Sequence, residues 1–389
     1  PPTASGRSQI FGQISFNQLN FATAQIAKRP KDYFAKDTVI NSKTVIGKHS
    51  KKPVEIAGPA VVGAMSFGAL SKPAKIAIAK GATLVNTVDN TGEGGMLPEQ
   101  RKAAKLLIAQ YSTGRFGVDD DYLKSADIIE IKFGQGAKPG QGGLLPGYKV
   151  TEEIAKVRSS KNLEVKPGEA VHSPPAHPDI FSAIDLKKRI DSLRKLTGGK
   201  PIILKIAACN LKADLPLAVK ANPDIIAIDG AEGGTGAAPA VMLHHTGLPT
   251  IPALVQARKI LDRLKAKQEL WIGGGITGGA DMAKALALGA DLVFVATGLL
   301  HAMGCINCGL CYMGKCPKGI TTQEPELIAK LNIDEAAQKV ANFFKASREE
   351  VKMLAAACGY DNIYDLNRKD LIPLNSEIAK ITGLPFIGC

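Results

Sequence analysis

The amino-acid sequence predicts an α/β fold, a (β/α)8 TIM barrel. Short apolar runs bounded by Gly, Asp or Asn alternate with longer helical patterns, which is typical of βα units around a parallel sheet. Eight such runs occur between residues 60 and 297, a length that suits a barrel of this class. The alternative is an open doubly wound sheet. It would need Gly-x-Gly-x-x-Gly after the first strand, and Met65–Ala69 lacks this pattern.

The eight runs are each apolar and each short enough for one strand. In chain order they are Ala60–Phe67, Leu84–Asn90, Asp127–Phe133, Ile202–Ala207, Ile225–Gly230, Pro249–Leu254, Leu270–Gly274 and Leu292–Thr297. The segment between the third and fourth runs is far longer than most barrel loops, and it begins with the glycine-rich residues 134–147. We expect it to form a lid over the catalytic face.

These patterns divide the chain into four parts. Residues 1–45 should wrap the outside of a barrel that spans residues 46–300. A cysteine-rich segment, residues 301–323, follows the last strand. Residues 324–389 contain helical patterns at Pro325–Leu331 and Ile333–Cys358, and we expect a C-terminal helical extension there.

Composition and charge narrow the class of protein. With 45% hydrophobic and 22% charged residues, the chain can bury a large core and is not a disordered polymer. A net charge of +13 favours acidic partners such as nucleic acid, an anionic membrane, an acidic redox protein or a phosphorylated cofactor. Only 5% of residues are aromatic and no recognition motif occurs, which argues against nucleic-acid binding. Asp291 and His301 interrupt the most apolar stretch, so we expect a cytoplasmic protein without membrane insertion.

Four cysteines lie within one short segment of the chain. Cys305, Cys308, Cys311 and Cys316 follow the spacing Cys-x2-Cys-x2-Cys-x4-Cys, and Pro317 comes directly after the last of them. This spacing is close to the ferredoxin pattern that holds an iron–sulfur cluster. A zinc site is the alternative, although zinc usually takes two well-separated cysteine pairs.

Glycine turns after the last two predicted strands suggest a phosphate site. Gly274 and Gly275 follow the seventh run, while Thr297 and Gly298 follow the eighth. Glycine lets backbone N–H groups approach an oxyanion closely, and barrels commonly bind phosphate at these two loops. The occupant could be a flavin mononucleotide or a sugar phosphate, and the nearby cysteine segment favours the flavin because flavins exchange single electrons with clusters.

Three further polar residues stand out from their surroundings. Lys205 lies in the apolar run Ile202–Ala207, where a charge is costly unless it faces an anionic partner such as the reduced flavin ring. Gln135 and Lys138 lie in the loop after the third run, where they could hold a dicarboxylate substrate. The simpler explanations are a lysine that reaches the barrel rim and a solvated loop charge.

A series of motifs resembles the FMN-binding synthase domain of glutamate synthase. The motifs, in chain order, are Gly63–Ser71, Asn90–Gly95, Ile131–Gly140, Gly233–Ala237 and Cys316–Gln323. The resemblance covers roughly residues 50–370. It implies a barrel that binds FMN beside an iron–sulfur cluster and reduces 2-iminoglutarate, formed from 2-oxoglutarate and ammonia, to L-glutamate.

The resemblance also implies roles for individual residues. The flavin would contact Met65, Ser66, Asn90 and Lys205, and its phosphate would lie among Gly274, Gly275, Thr297 and Gly298. Gln135 and Lys138 would bind the 2-oxoacid, with Lys138 polarising its carbonyl or imine. Glu93 would shape ammonia entry or relay a proton.

The sequence also departs from the family pattern. The family's cluster uses three cysteines, which Cys305, Cys311 and Cys316 reproduce for a [3Fe–4S] centre, whereas the additional Cys308 could complete a [4Fe–4S] centre. Gln141 replaces a glutamate of the family's substrate loop. We find no counterpart of the glutaminase, β-helix or NADPH-binding domains in the sequence. We therefore expect a stand-alone module in an oligomer or multi-subunit complex. Electrons would come from ferredoxin or a reductase subunit, and ammonia from solution or a glutaminase-type subunit.

Other functions remain open from the sequence. The region Gly95–Arg101 also resembles the flavin subunit of N-methylglutamate synthase, which would make an amine the nitrogen donor. A hydroxyacid- or dihydroorotate-type FMN oxidation is a second alternative, although it does not explain the cysteines. A non-catalytic electron-transfer subunit is the third.

Overall fold

The computed structural model describes residues 14–386, and strands and helices alternate along most of this range. The strands are β1 (Leu19–Phe21), β2 (Thr44–Ile46), β3 (Val54–Ile56), β4 (Ala60–Val62), β5 (Val88–Asn90), β6 (Leu106–Tyr111), β7 (Ile128–Lys132), β8 (Leu144–Leu145), β9 (Val171–His172), β10 (Ile202–Ala207), β11 (Ile225–Asp229), β12 (Glu269–Gly273), β13 (Leu292–Val295) and β14 (Leu371–Pro373). The helices are α1 (Lys72–Leu84), α2 (Pro98–Ala103), α3 (Asp120–Ser125), α4 (Glu152–Arg158), α5 (Ala183–Thr197), α6 (Leu211–Ala221), α7 (Ala240–His245), α8 (Thr250–Arg263), α9 (Gly279–Ala287), α10 (Thr297–Ala302), α11 (Pro325–Ile328), α12 (Ile333–Ala357) and α13 (Ser376–Thr382).

Eight parallel strands form a nearly closed barrel, which confirms the predicted TIM-barrel fold. Neighbours along the sheet run β4-β13-β12-β11-β10-β7-β6-β5, so the first and last barrel strands of the chain are paired. At the seam between β4 and β5, the Thr87 hydroxyl donates a hydrogen bond to the Ala60 carbonyl at 2.6 Å. An open doubly wound sheet does not pair its first strand with its last, so that alternative is excluded.

One predicted strand is wrong and one real strand was missed. Pro249–Leu254 does not form a strand, because Thr250 begins helix α8 and Ile251, Leu254 and Leu261 fall on its buried face at helical spacing. The third barrel strand is instead Leu106–Tyr111, which no Gly or Pro separates from its flanking residues. Strands β7, β10 and β11 are therefore the fourth, fifth and sixth of the barrel, while β12 and β13 remain the seventh and eighth.

An apolar plug fills the amino-terminal end of the barrel. The hairpin β2–β3 places Ile46 and Ile56 against inward-facing side chains that include Ile108, Ile203 and Trp271. All of these side chains are buried, and Trp271 is fully enclosed. Polar chemistry is thereby confined to the opposite end, where the strands terminate.

The long insertion between β7 and β10 folds over the carboxyl end of the barrel. Its strands β8 and β9 pair antiparallel, with Leu145 opposite Val171. Leu145, Val150 and Ile154 pack on Phe67, which follows β4. The predicted lid is thus a packed layer with its own apolar cluster.

Both ends of the described chain lie on the outside of the barrel. Strand β1 pairs antiparallel with β14, which ties the amino-terminal segment to the carboxyl-terminal extension. The predicted helix over Ile333–Cys358 is confirmed as α12, which begins after the capping residue Asn332 and packs against α1 and α9. Residues 1–13 of the predicted wrapping segment lie outside the described residues. Among the described helices, none is both long enough and apolar enough to cross a membrane.

Candidate active site

A buried polar network joins four adjacent strands at the carboxyl end of the barrel. Lys205 Nζ on β10 lies 2.6 Å from Glu130 Oε1 on β7. Asn90 Nδ2 on β5 donates to Glu130 Oε2 at 3.1 Å, and Gln110 Nε2 on β6 donates to Glu130 Oε1 at 2.5 Å. Lys205 therefore has the anionic partner that its apolar surroundings demand, although that partner within the chain is Glu130 rather than a flavin.

Glu130 and Gln110 were missed in the sequence. Glu130 stands in the apolar run Ile128–Lys132, just as Lys205 stands in its own strand, so the same argument would have identified it. Gln110 lies in the strand that was missed. Its Oε1 is buried and has no hydrogen-bond partner among residues 14–386, an arrangement that leaves an acceptor for a ligand's N–H group.

The loops after β4 and β5 are held together by a buried lysine. Lys75 Nζ donates to the carbonyls of Met65, Asn90 and Thr91 at 2.6, 2.8 and 3.1 Å. Burial lowers the pKa of Lys75 to about 8, with the Asp89 carboxylate opposing the shift. The half-buried Met65 and Ser66 are thereby brought to the same rim as Asn90.

A second polar cluster brings Glu93 and Gln135 together through Lys132. Lys132 Nζ donates to Glu93 Oε2 and to Gln135 Oε1, each at 2.8 Å. Ser173, from the insertion, donates to Glu93 Oε1. Burial would raise the pKa of Glu93, but Lys132, Ser173 and Arg158 outweigh it and hold the pKa at about 2. Glu93 is therefore ionised at neutral pH.

Lys138 is the most deeply buried of the three predicted catalytic residues. Its side chain is 2% exposed, and Nζ donates to the Ala237 carbonyl at 3.1 Å. Burial lowers the pKa of Lys138 to about 8; the positive charge of Lys132 lowers it further and Glu93 opposes the shift. In the described part of the chain no carboxylate pairs with this ammonium, which leaves it able to bind an anion.

The insertion supplies side chains that cover this end of the barrel. His177 Nε2 lies 2.9 Å from the Lys132 carbonyl, and its ring stacks on Tyr111 with centroids 6.0 Å apart. Burial and the neighbouring Arg115 lower the pKa of His177 to about 4, so its ring is neutral at pH 7. Together with Ser173, this histidine ties the insertion to the Glu93 and Lys132 cluster.

The glycine turns predicted to hold a phosphate lie at the ends of neighbouring strands. Gly274 and Gly275 have φ values of +110° and +71°, a conformation that favours glycine. Thr250 Oγ1 donates to the Gly274 carbonyl at 3.0 Å and fixes this turn. Thr297 and Gly298 begin α10 directly after β13, which pairs with β12. The two turns therefore lie side by side.

The four cysteines line one cavity beside the barrel. Cys305, Cys308, Cys311 and Cys316 all contribute to its wall. Cys305 Sγ accepts a hydrogen bond from the Asn307 amide at 3.5 Å. Gly236, in the loop after β11, approaches Cys311 so closely that an added Cβ would lie 3.3 Å from the cysteine Cβ. The cavity thus adjoins the open end of the barrel.

The sulfur atoms are not gathered around one point. Among residues 14–386, no three His, Cys, Asp or Glu side chains converge on a position for a single metal ion. Cys308 is exposed and Cys316 is buried. Ligands of an iron–sulfur cluster bind separate iron atoms, so a shared cavity is the relevant arrangement for a cluster.

The comparisons with known proteins agree with this architecture. Residues 13–361 match a family described as a conserved region in glutamate synthase. A glutamate synthase large subunit-like protein of Rhizobium meliloti is 37% identical over 96% of this chain and 87% of its own length. An archaeal-type glutamate synthase [NADPH] of Thermotoga sp. is 39% identical over 90% of this chain and 69% of its own length.

Solved structures support the fold alone. A flavocytochrome b2 variant matches with a TM-score of 0.58 at 17% identity, covering 97% of this chain and 80% of its own. A mandelate oxidase variant with an FMN adduct has a TM-score of 0.55 at 15% identity, over 94% of this chain and 90% of its own.

The family match and the identity to the curated relatives extend over most of the sequence. The chain therefore belongs to the glutamate synthase family of enzymes.

Proposed function

We propose that this chain is an FMN-dependent, iron–sulfur oxidoreductase that makes L-glutamate from 2-oxoglutarate and ammonia. The observation that carries the proposal is the position of Lys138 beside the Lys132–Glu93 pair, at the open end of a barrel of the glutamate synthase family. Addition of ammonia to the ketone releases water and gives 2-iminoglutarate. The imine then takes up two electrons and two protons to become the amine.

The residues at the barrel mouth fit a flavin. Its pyrimidine ring offers an N–H donor between two carbonyl acceptors. This suits Gln110 Oε1, which is unpaired among residues 14–386, and the donors on Asn90 and Lys205. The turns at Gly274 and Gly298 would hold the phosphate, and Met65 and Ser66 would line the ring. When bound, FMN supplies the electron pair for the reduction as a hydride.

Lys132 and Lys138 suit a dicarboxylate substrate. Within residues 14–386 Lys138 has no carboxylate partner, so its ammonium would be available to bind the 2-oxoacid and polarise the carbonyl or imine. Gln135, held by Lys132, would donate its amide N–H groups to the same substrate. Glu93 stays ionised beside them, and its negative charge would shape the entry of ammonia.

In this proposal, electrons from the donor enter the protein at the cysteine cavity. Cys305, Cys311 and Cys316 would hold three irons, and Cys308 would hold a fourth if it binds. The iron–sulfur centre, when bound, passes single electrons from a donor towards the flavin site. The net charge of +13 suits an acidic donor, either ferredoxin or a reductase subunit, and several relatives are named as NADPH enzymes. We place the reaction in the cytoplasm, where thiols stay reduced.

The decisive experiment follows the reduced flavin under anaerobic conditions. The purified chain is reduced and mixed with 2-oxoglutarate and ammonia, and absorbance and L-glutamate are measured together. We expect rapid reoxidation that needs both substrates and yields one glutamate per flavin. Lys138→Met should slow reoxidation, whereas Lys315→Met, an exposed lysine of the cysteine segment, should not.

Three results would contradict the proposal. Reoxidation by methylamine with 2-oxoglutarate, but not by ammonia, would identify an N-methylglutamate synthase. Reoxidation by neither nitrogen source would favour a non-catalytic electron-transfer subunit. Absence of bound FMN from the reconstituted chain would remove the proposed hydride donor.

A further inference from the structure

The insertion touches the cysteine segment through one short turn. Residues Gly147–Lys149 form a single 3-10 turn that follows β8. Tyr148 Oη donates to the Tyr312 carbonyl, and Lys149 Nζ donates to the Cys311 carbonyl at 2.6 Å. Lys149 Nζ also lies 3.4 Å from the Thr321 carbonyl. The ammonium of Lys149 therefore lies between the carbonyls of Cys311 and Thr321, on either side of Cys316 in the sequence.

Lys149 resembles Lys75 and Lys138, which are held by backbone carbonyls, and differs from two other buried lysines at this end of the barrel. Lys132 pairs with Glu93 and Lys205 pairs with Glu130. Lys149 is only 5% exposed, yet within residues 14–386 no Asp or Glu forms an ion pair with it. A buried cation without an anion carries a large desolvation cost, which carbonyl dipoles offset only in part.

The anion that could pair with Lys149 is the thiolate-bound centre proposed for the cysteine cavity. Cys311 and Cys316 line the cavity, and Lys149 Nζ is held by the Cys311 carbonyl. An iron–sulfur centre held by thiolates concentrates negative charge at this point. Lys149 would then be a buried counter-charge to this centre, in addition to Lys318, which lines the cavity.

We propose that Lys149 is the electrostatic partner of the iron–sulfur centre and raises its reduction potential. A fixed positive charge in a buried site favours the reduced form, which carries one more electron. Because Lys149 belongs to the insertion, the layer that covers the substrate cluster also supplies the charge that eases electron entry. This inference rests on the proposed cluster.

The test compares three substitutions at one position in the reconstituted chain. Lys149→Arg keeps the charge, Lys149→Gln keeps an N–H donor without charge, and Lys149→Met removes both. Lys315→Met is the matched control, because Lys315 lies in the same segment but is exposed and already paired with Glu324. Iron and sulfide contents are measured first, and the potential is then determined by an anaerobic titration monitored by EPR.

The expected result is a graded change in potential at constant cluster content. The equilibrium constant for reduction should fall about tenfold in Lys149→Gln and Lys149→Met, which is about 59 mV for one electron. Lys149→Arg and Lys315→Met should remain close to the wild-type value.

The other outcomes would overturn the inference or the proposed function separately. An unchanged potential in Lys149→Gln and Lys149→Met, with full cluster content, would overturn the electrostatic role. Loss of iron from Lys149→Arg as well as from both neutral variants would make Lys149 a purely structural residue and would also overturn it. Absence of a cluster from the wild-type chain would instead reject the proposed electron entry.

Discussion

Lys205 Nζ lies 2.6 Å from Glu130 Oε1, across the paired strands β10 and β7. The Glu130 side chain is fully buried and that of Lys205 is 7% exposed, so neither charge is solvated by bulk water. Removal of one partner from such a pair leaves the other uncompensated, which typically costs about 3–5 kcal/mol. The stability of the barrel therefore depends on keeping both of these buried charges at its open end.

We expect Glu130→Ala and Lys205→Met each to lower the free energy of unfolding by about 3 kcal/mol. The double variant should lose less than the sum of the two, because the second substitution removes the charge that the first leaves unpaired. Urea unfolding of the wild type and the three variants gives this coupling directly. Strictly additive losses would show that the two charges are independent.

The acid dependence of stability should report on Glu93. Its pKa is held at about 2, below the ordinary value of 4.5, despite burial that would raise it. The ionised carboxylate therefore contributes stability that is fully present above pH 4.5 and is lost as the pH falls towards 2.

We expect Glu93→Gln to lower the free energy of unfolding at pH 7 by about 3 kcal/mol. The variant should also lose less stability than the wild type between pH 4.5 and pH 2. Denaturant unfolding at a series of pH values measures both effects. Glu326→Gln, an exposed glutamate on α11, is the control and should behave like the wild type. Parallel pH profiles for Glu93→Gln and wild type would refute the assigned charge state.

The pH dependence of catalysis should report on Lys138. Burial lowers the pKa of Lys138 to about 8, so the ammonium that we propose polarises the substrate disappears as the pH rises through that value. We expect kcat/KM for glutamate formation to fall on the alkaline side with an apparent pKa near 8. Lys138→Met should lower kcat/KM by about 100- to 1000-fold, the usual effect of losing such a donor.

Lys138→Arg provides the control for this assignment. Arginine stays protonated throughout the accessible range, so the alkaline fall should vanish even where the rate itself is lower. An alkaline fall that is unchanged in Lys138→Arg would assign it to another group. Measuring L-glutamate directly keeps flavin side reactions out of the profile.

The sequence predicts the barrel better than it predicts the contacts inside it. Strands buried on both faces are nearly continuous apolar runs, so most of them were recognisable without a structure. Leu106–Tyr111 was missed because no Gly or Pro marks its ends, whereas Pro249–Leu254 looked like a strand because its apolar residues are clustered. Strand counting then assigned the insertion to the wrong strand number.

In the candidate site, some residues can be recognised from their own segment of sequence, whereas others can be recognised only from the partners that the fold brings to them. Lys205 stood out because a charge interrupts an apolar run, and Glu130 carries that same local signal. Lys75 gave no comparable signal, because its role depends on carbonyls brought in from other parts of the chain. Local sequence can reveal an anomalous residue, but only the fold identifies its partner.

The loop after β5 lies close to the loop after β4, and we expect this close contact to affect FMN binding. Gly92 has a φ of +66°, and a Cβ placed there would lie 2.5 Å from both Met65 C and Ser66 N. Backbone atoms cannot move aside as a flexible side chain can, so Gly92→Ala must displace the loop that would line the flavin ring. We expect FMN affinity to fall at least about tenfold, measured by quenching of flavin fluorescence, with the far-ultraviolet circular dichroism unchanged.

Gly140→Ala is a matched control for this substitution. Gly140 has a similar φ of +74°, but an added Cβ there meets nothing within 4 Å. Both alanines bear the strain of a left-handed conformation, about 1–2 kcal/mol, and only the one at position 92 also meets the flavin loop. FMN binding should therefore be close to wild type in Gly140→Ala. Equal FMN affinity in the two variants would mean that Met65 and Ser66 do not line the cofactor site, because backbone strain alone would then account for both results.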